Sequence, residues 1–88
     1  MPKISMFYGI SIYMYVKDHS PPHFHAVYAE HEAQFDIATG KVLKGKLPRT
    51  AQRLVRKWNE LHRDDLMANW LRRKSGEPLQ DVRGLDDE

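Results

Sequence analysis

The fold is decided by residues 23–37, HFHAVYAEHEAQFDI, in which apolar residues occupy alternate positions on both sides of a short polar segment. Phe24 and Ala26 alternate with other residues before that segment, and Ala33 and Phe35 do so after it. Alternation at every second position is typical of a strand with one buried face. The stretch therefore predicts a β-hairpin whose two apolar sets lie on the same face.

Two strand registers satisfy this requirement, and both place the same polar residues on the opposite, non-core face. Pairing Phe24 with Phe35 sets His23 opposite Asp36, whereas a slip by two residues sets His25 opposite Asp36. In both registers the two histidines therefore share their face with the aspartate.

The histidines also belong to residues 19–25, HSPPHFH, which hold three of the five histidines of the chain. Positions i and i+2 on a strand point His23 and His25 to one side, as a single metal ion requires. With Asp36 they predict a two-histidine, one-carboxylate site for a divalent transition metal, to which His19 adds a fourth ligand from the loop. His23, His25 and Asp36 are also the candidate catalytic residues.

Two other interpretations of these histidines stay open. One is acid–base chemistry without a metal, which neutral-pH titration makes possible for histidine. The other is a polar strand face without a site, on which His23 pairs with Asp36 and His25 covers a neighbouring tyrosine.

Before the hairpin, alternation over residues 4–16 predicts a long half-buried strand. Gly9 interrupts it and indicates a bulge, a bend or a tight turn between two shorter strands. The other face of the segment presents Tyr13 and Tyr15 beside Lys17. The positions expected to face the core are Ile4, Met6, Tyr8, Ile10, Ile12, Met14 and Val16.

After the hairpin, KVLKG at residues 41–45 predicts a short strand, and two helices follow. Pro48 suits the first turn of the first helix, Asp64 and Asp65 suit the start of the second, and Gly76 suits its end. The positions at helical spacing that are expected to face the core are Ala51, Leu54, Val55, Trp58, Leu61 and His62, followed by Leu66, Met67, Trp70 and Leu71.

These patterns together predict an α+β fold, in which a small antiparallel sheet of three to four strands precedes two helices packed on one face. A chain of 88 residues is expected to form a single domain. Its parts are a β-sheet part at 1–47, a helical part at 48–76 and a C-terminal tail at 77–88. Because a core of this size is small, we expect a homo-oligomer or a hetero-complex.

Charge is unevenly distributed along the chain, whose net charge is +2. Residues 41–74 carry 11 lysines and arginines against three acidic residues, and residues 75–88 carry five acidic residues against one arginine. A basic helix face predicts an anionic partner, and exposed tyrosines are able to stack on bases. The candidate nucleic-acid or partner-binding residues are Arg49, Arg53, Arg56, Lys57, Tyr13 and Tyr15. The alternative is a solvated helix face.

Composition also excludes several classes of function. The sequence holds no cysteine, which excludes disulfide frameworks, thiol nucleophiles and thiolate metal sites. No apolar run is long enough to span a bilayer, so we expect no membrane segment.

Five stretches carry a resemblance to a known family: FYGISIYMY, DHSPPHFHA, FDIATG, KGKLP and WNELHRDDLMANW. Over about residues 2–80 the chain resembles the small bacterial proteins grouped as domain of unknown function 4160, whose Pro-Pro-His-Phe-His motif is intact at Pro21–His25. The resemblance implies a bacterial, cytoplasmic protein of one compact domain. It also implies a neighbouring gene for another small protein, in an arrangement like a toxin–antitoxin pair. It assigns no role to any residue.

The leading hypothesis is therefore a component of a toxin–antitoxin-like two-gene module that binds an acidic protein partner or RNA, with DNA as a further possible ligand. The alternative hypothesis is a histidine-dependent, metal-assisted hydrolase or nuclease that uses the Pro-Pro-His-Phe-His strand. A third hypothesis is a purely structural adaptor, and the sequence does not decide among the three.

Overall fold

Five antiparallel strands form one sheet, in chain order, in the computed structural model, which describes residues 3–87. The strands are β1 (Lys3–Phe7), β2 (Ile10–Tyr13), β3 (His23–Tyr28), β4 (His31–Asp36) and β5 (Val42–Lys46). A long helix follows the sheet, so the α+β prediction is confirmed. The predicted number of three to four strands is wrong, because the N-terminal segment divides into two strands.

The division falls at Tyr8 and Gly9, both of which have positive φ angles, 50° and 78°. A two-residue turn of this kind matches the twist of antiparallel strands and joins β1 directly to β2. The pairing of the two strands also shifts between Lys3 and Ser5. As a result Phe7 is buried and Met6 is exposed, opposite to the prediction from uninterrupted alternation.

Elsewhere in this segment the alternation holds within the strands and for one residue beyond the end of β2. Ile4, Ile10, Ile12 and Met14 are buried. Two other positions expected to face the core are exposed, namely Tyr8 in the turn and Val16 in the loop after β2. Both lie outside the strands, where alternation of side-chain direction no longer applies.

The hairpin of β3 and β4 has the first of the two registers that alternation allows. Phe24 pairs with Phe35, their rings stack with centroids 5.5 Å apart, and His23 pairs with Asp36. A two-residue turn at 29–30 joins the strands. This register puts the buried phenylalanines on one face and the two histidines of β3 on the other.

The helix α1 spans Arg49–Ser75 and is kinked at His62, whose φ of −120° and ψ of 22° are not helical. The kink divides α1 into a first arm, residues 49–61, and a second arm, residues 63–75. The two predicted helices are therefore present, joined directly rather than by a loop. Gly76 ends the second arm in a left-handed conformation, as its position predicts.

The core lies between the first arm and the apolar face of the sheet. Trp58 is fully buried, and its ring centroid lies 5.2 Å from that of Phe7 and 5.5 Å from that of Phe24. Its Nε1 donates a hydrogen bond of 2.8 Å to the Arg83 carbonyl oxygen, which fastens the C-terminal segment to the core. Trp70 is also buried, so both tryptophans are core residues as predicted.

Two leucines expected in the core, Leu61 and Leu71, are exposed by 55% and 62%. Two polar residues of the same helix that were not expected in the core, Asn59 and Asn69, are completely buried. The Asn59 amide donates to the Ile37 carbonyl oxygen (3.1 Å), and the Asn69 amide donates to that of Gln80 (2.8 Å). Apolar spacing did not identify these positions because their role is to satisfy backbone carbonyl groups.

The C-terminal segment runs beside β1 without joining the sheet. The Val82 N–H donates to the Ile4 carbonyl oxygen (2.7 Å), and a short 3-10 helix follows at Leu85–Asp87. Between residues 3 and 87, no helix combines the length and the apolar character that a membrane span needs.

Candidate functional site

The candidate site is built around His23 and His25, which β3 places side by side on the sheet face opposite Phe24. Both histidines are nearly completely buried, 6% and 7% exposed. Their ring centroids lie 5.2 Å apart. The ring of Tyr15 packs edge-on against His25 at 4.6 Å, and the ring of Trp70 lies 5.3 Å from that of His23.

The carboxylate that meets these histidines is that of Asp18, in the loop between β2 and β3. Its Oδ2 lies 3.2 Å from His25 Nε2 and 3.5 Å from His23 Nε2, and its Oδ1 lies 3.3 Å from His25 Nε2. Among residues 3–87, one ligand atom from each of Asp18, His23 and His25 lies within 4.8 Å of the other two. These three residues form the histidine cluster.

Each histidine also contacts an acceptor through its other ring nitrogen. His23 Nδ1 lies 2.8 Å from the Pro21 carbonyl oxygen. His25 Nδ1 lies 3.3 Å from Glu32 Oε2, across the hairpin. Both rings are therefore oriented from outside the cluster, with their Nε2 atoms directed at Asp18.

The loop that carries Asp18 is fastened at two places. The Tyr15 N–H donates to Asp18 Oδ2 (3.1 Å), which closes a turn over residues 15–18. Arg73, nine-tenths buried on the second arm of α1, donates through Nη1 to the carbonyl oxygens of Val16 (2.7 Å) and Asp18 (2.9 Å). The second arm thus holds the aspartate over β3.

Asp36 and His19, which the sequence pattern grouped with the histidines, are placed differently. Asp36 pairs with His23 in the strand register, but its Oδ1 accepts hydrogen bonds from the N–H groups of Ala38 (2.8 Å) and Thr39 (3.2 Å). Its carboxylate therefore stabilises the turn after β4 and does not belong to the histidine cluster. His19 is exposed and stays outside the cluster as well.

His19 instead lines a surface pocket of about 380 Å³ that reaches the cluster. Asp18, His23 and Gln34 also line this pocket, together with Lys17, Ser20, Pro21 and Leu43. Two members of the histidine cluster are therefore reachable from outside, although both histidines are buried.

Tyr13 and Tyr15 flank the cluster rather than forming an open surface. Both are half-buried, with parallel rings whose centroids lie 6.0 Å apart. Burial raises the pKa of the Tyr15 hydroxyl, and the nearby groups of Glu32, Tyr13 and Asp18 raise it further. Tyr15 is thus held neutral against His25.

A second candidate surface, the basic face, lies on the first arm of α1 and consists of Arg49, Arg53, Arg56 and Lys57. All four side chains are exposed. They line a broad concavity together with Gln52, Glu60 and Leu61. This face and the tyrosine pair are on different sides of the molecule, because Trp58 of the first arm packs on the sheet face opposite the histidines.

The fold and the site together define a class of protein: a small α+β domain whose antiparallel meander carries a buried cluster of two histidines and an aspartate. The family model described as "Domain of unknown function (DUF4160)" matches residues 9–71, and the chain belongs to that family. The matched span includes the histidine cluster and the basic face. Comparisons with curated proteins and with solved structures gave no match.

Proposed function

We propose that this protein is the binding component of a two-gene, toxin–antitoxin-like module, and that its basic face holds an acidic protein partner. The observation that supports the proposal is that four cationic side chains are exposed on two turns of one helix. None of them forms an ion pair with another group among residues 3–87. Their charge is therefore available to a partner.

The position of the basic face on the helix supports the same conclusion. Arg49 begins α1 and Arg53 lies one turn later, while the first turn contains no acidic residue. The N-terminus of a helix carries a partial positive charge, so cations there are unfavourable to the isolated helix. Like charges at i and i+4, such as Arg49 and Arg53, destabilise it further, by about 0.2–0.5 kcal/mol per pair. An external anion would offset both effects.

Leu61 favours a protein over RNA as the partner. It is exposed by 55% and lies one turn beyond Lys57, at the end of the basic face. An apolar side chain bordered by charged groups is typical of a protein interface, whose centre is apolar and whose rim is polar. Single-stranded RNA is commonly bound through bases stacked on aromatic rings, but Tyr13 and Tyr15 lie away from the basic face.

The test is co-expression with the product of the adjacent small gene that a two-gene module requires. The wild-type protein should co-purify with that neighbour and run with it as one species by light scattering. The double variant Arg49→Gln and Arg53→Gln should weaken the complex at least tenfold and flatten the dependence of its affinity on salt concentration. The matched control is Lys44→Gln with Lys46→Gln, which removes the same charge from exposed β5.

The results of these variants distinguish a protein partner from RNA. Loss of the complex in Leu61→Gln, with the control unaffected, supports the protein interface. Binding of RNA that depends on Arg49 and Arg53 but not on Leu61 replaces the protein partner with RNA. The proposal is rejected if the arginine variant and the control behave alike, or if the wild-type chain is a monomer that ignores its neighbour.

A histidine-dependent, metal-assisted hydrolase or nuclease is the second candidate, favoured by the contact between the histidine cluster and the surface pocket. In this function His23, His25 and Asp18 would hold a metal that activates water, and the pocket would receive the substrate. Asp18 takes the place of Asp36 in this candidate function, because the Asp36 carboxylate accepts hydrogen bonds from the turn after β4. The test is hydrolysis of RNA and of a phosphodiester with added Zn²⁺ or Mn²⁺. Activity that survives His25→Gln would reject this candidate.

A further inference from the structure

We propose that Asp18, His23 and His25 bind one divalent first-row transition metal ion. The three residues contribute two imidazole nitrogens and one carboxylate oxygen, a ligand set suited to Zn²⁺, Co²⁺ and Fe²⁺. The second candidate function depends on this site, but the site itself is defined by binding and not by activity.

The distances from the Asp18 carboxylate to the two histidines match the coordination sphere of one ion, and the three ligand atoms all lie within 4.8 Å of one another. Asp18 Oδ2 lies 3.2 Å from His25 Nε2 and 3.5 Å from His23 Nε2. Metal–ligand bonds of about 2.0–2.2 Å at tetrahedral angles place neighbouring ligand atoms roughly 3.3–3.6 Å apart. Hydrogen bonds between an imidazolium and a carboxylate are shorter, about 2.7–2.9 Å. The observed separations are therefore close to those of two ligands on one ion, although the 3.2 Å contact of His25 also lies within the range of an ordinary hydrogen bond.

Hydrogen bonding fixes the tautomer of His23 in the form that binds a metal. Its Nδ1 lies 2.8 Å from the Pro21 carbonyl oxygen, which only accepts hydrogen bonds. Nδ1 therefore carries the proton, and in the neutral ring Nε2 turns a lone pair towards the Asp18 carboxylate. Two acceptors facing each other repel unless a cation lies between them. Metal-bound histidines show the same outer hydrogen bond to a carbonyl group or carboxylate.

His25 repeats this arrangement with a carboxylate in place of the carbonyl group. Its Nδ1 faces Glu32 Oε2 at 3.3 Å, and its Nε2 faces Asp18. Without a metal, both rings would have to be doubly protonated for all four ring nitrogens to donate to Pro21, Glu32 and the shared Asp18 carboxylate. That would place two buried cations with ring centroids 5.2 Å apart. One divalent ion satisfies both Nε2 atoms and Asp18 while leaving the two imidazoles neutral.

The site is both held in place and accessible. Asp18 is fixed from its own turn by the Tyr15 N–H and from the helix by Arg73. The surface pocket of about 380 Å³ reaches Asp18 and His23. Three protein ligands and an open side leave coordination positions for water or a small ligand, as in metal sites that exchange their ligands.

The experiment titrates chelator-treated protein, made without a histidine tag, with Co²⁺ and with Zn²⁺. Calorimetry and the visible absorption of Co²⁺ should both report saturation at about one equivalent per chain. Zn²⁺ should also raise the Tm, because a ligand of the folded state stabilises it. Asp18→Asn, His23→Gln and His25→Gln should each lose measurable Co²⁺ absorption. His31→Gln, at a half-exposed position of the hairpin, is the matched control and should bind as the wild type does.

A second measurement on the wild type does not depend on the folding of the variants. The imidazole ¹⁵N resonances of His23 and His25 should change on addition of Zn²⁺, and those of His31 should not. The proposal is overturned by the absence of saturable binding, or by binding that His31→Gln weakens as much as His23→Gln does. It is also overturned if Asp18→Asn lowers stability while the wild type binds no metal, since the cluster would then be an imidazolium–carboxylate network.

Metal binding is measured without partner or substrate, so its failure leaves the acidic-partner proposal untouched. A protein that binds Zn²⁺ in the cluster but hydrolyses nothing rejects only the second candidate function.

Discussion

Replacing Arg73 with methionine should loosen the loop that carries Asp18 and lower the stability of the whole domain. Arg73 is 9% exposed, and its Nη1 donates to the carbonyl oxygens of Val16 and Asp18. A hydrogen bond from a charged donor contributes about 1.5–3 kcal/mol, so the loss of two costs about 3–6 kcal/mol. Methionine can still pack on the Trp70 ring, which lies 3.6 Å below the guanidinium carbon. The substitution also removes the cost of burying a cation, so we expect the free energy of unfolding to fall by about 3 kcal/mol.

Urea denaturation followed by far-ultraviolet circular dichroism measures this change. A loss of about 3 kcal/mol lowers the Tm of a domain of this size by roughly 12–24 °C. Arg73→Lys is the control, since it keeps the charge but lacks the planar fork of the guanidinium, and its loss should be smaller. An Arg73→Met variant that is as stable as the wild type would refute the reasoning that this residue fastens the loop.

Three further substitutions test other parts of the structure. Gly45→Ala should lower the free energy of unfolding, measured by urea denaturation, by more than about 2 kcal/mol. The φ angle of Gly45 is positive, and a Cβ there would collide with the Glu32 carbonyl oxygen. An unchanged denaturation midpoint would contradict this. Trp58→Phe should lower the free energy of unfolding by about 2 kcal/mol in the same assay, because it removes the hydrogen bond to Arg83 and some buried volume. A variant as stable as the wild type would contradict this. Asp36→Asn should leave Co²⁺ binding unchanged, and weakened binding would restore Asp36 as a ligand.

The hairpin of β3 and β4 is predictable from sequence because alternation fixes which residues share a face. Alternation alone allows both registers, since a slip by two residues preserves every face. The length of the turn selects between them: a two-residue turn pairs Tyr28 with His31 and therefore Phe24 with Phe35. The face occupied by the two histidines is correct in either case.

The N-terminal segment shows the limit of the same reasoning. Met6 and Phe7 are adjacent and both apolar, so their pattern does not indicate which of them faces the core. The answer depends on the shift in pairing between Lys3 and Ser5, which is a property of two strands together. The turn at Gly9 is visible in the sequence as one of three alternatives, and the structure has the tight turn.

Only the two histidines of the histidine cluster are predictable from the sequence, because the position of Asp18 depends on distant contacts. His23 and His25 lie on a strand, where spacing determines direction. Asp18 lies in a loop whose course is fixed by Arg73, 55 residues further along the chain, and by a turn with Tyr15. No local pattern places an aspartate against two histidines through such contacts. The strand register pointed instead to Asp36, whose carboxylate is used by the next turn.

Anomalous diffraction from crystals grown with Zn²⁺, recorded at the zinc absorption edge, tests the proposed metal centre most directly. The predicted result is one strong peak within about 2.0–2.2 Å of a carboxylate oxygen of Asp18 and of the Nε2 atoms of His23 and His25. The contradictory result is an empty cluster, with zinc absent or bound only at a histidine outside the cluster, such as His31.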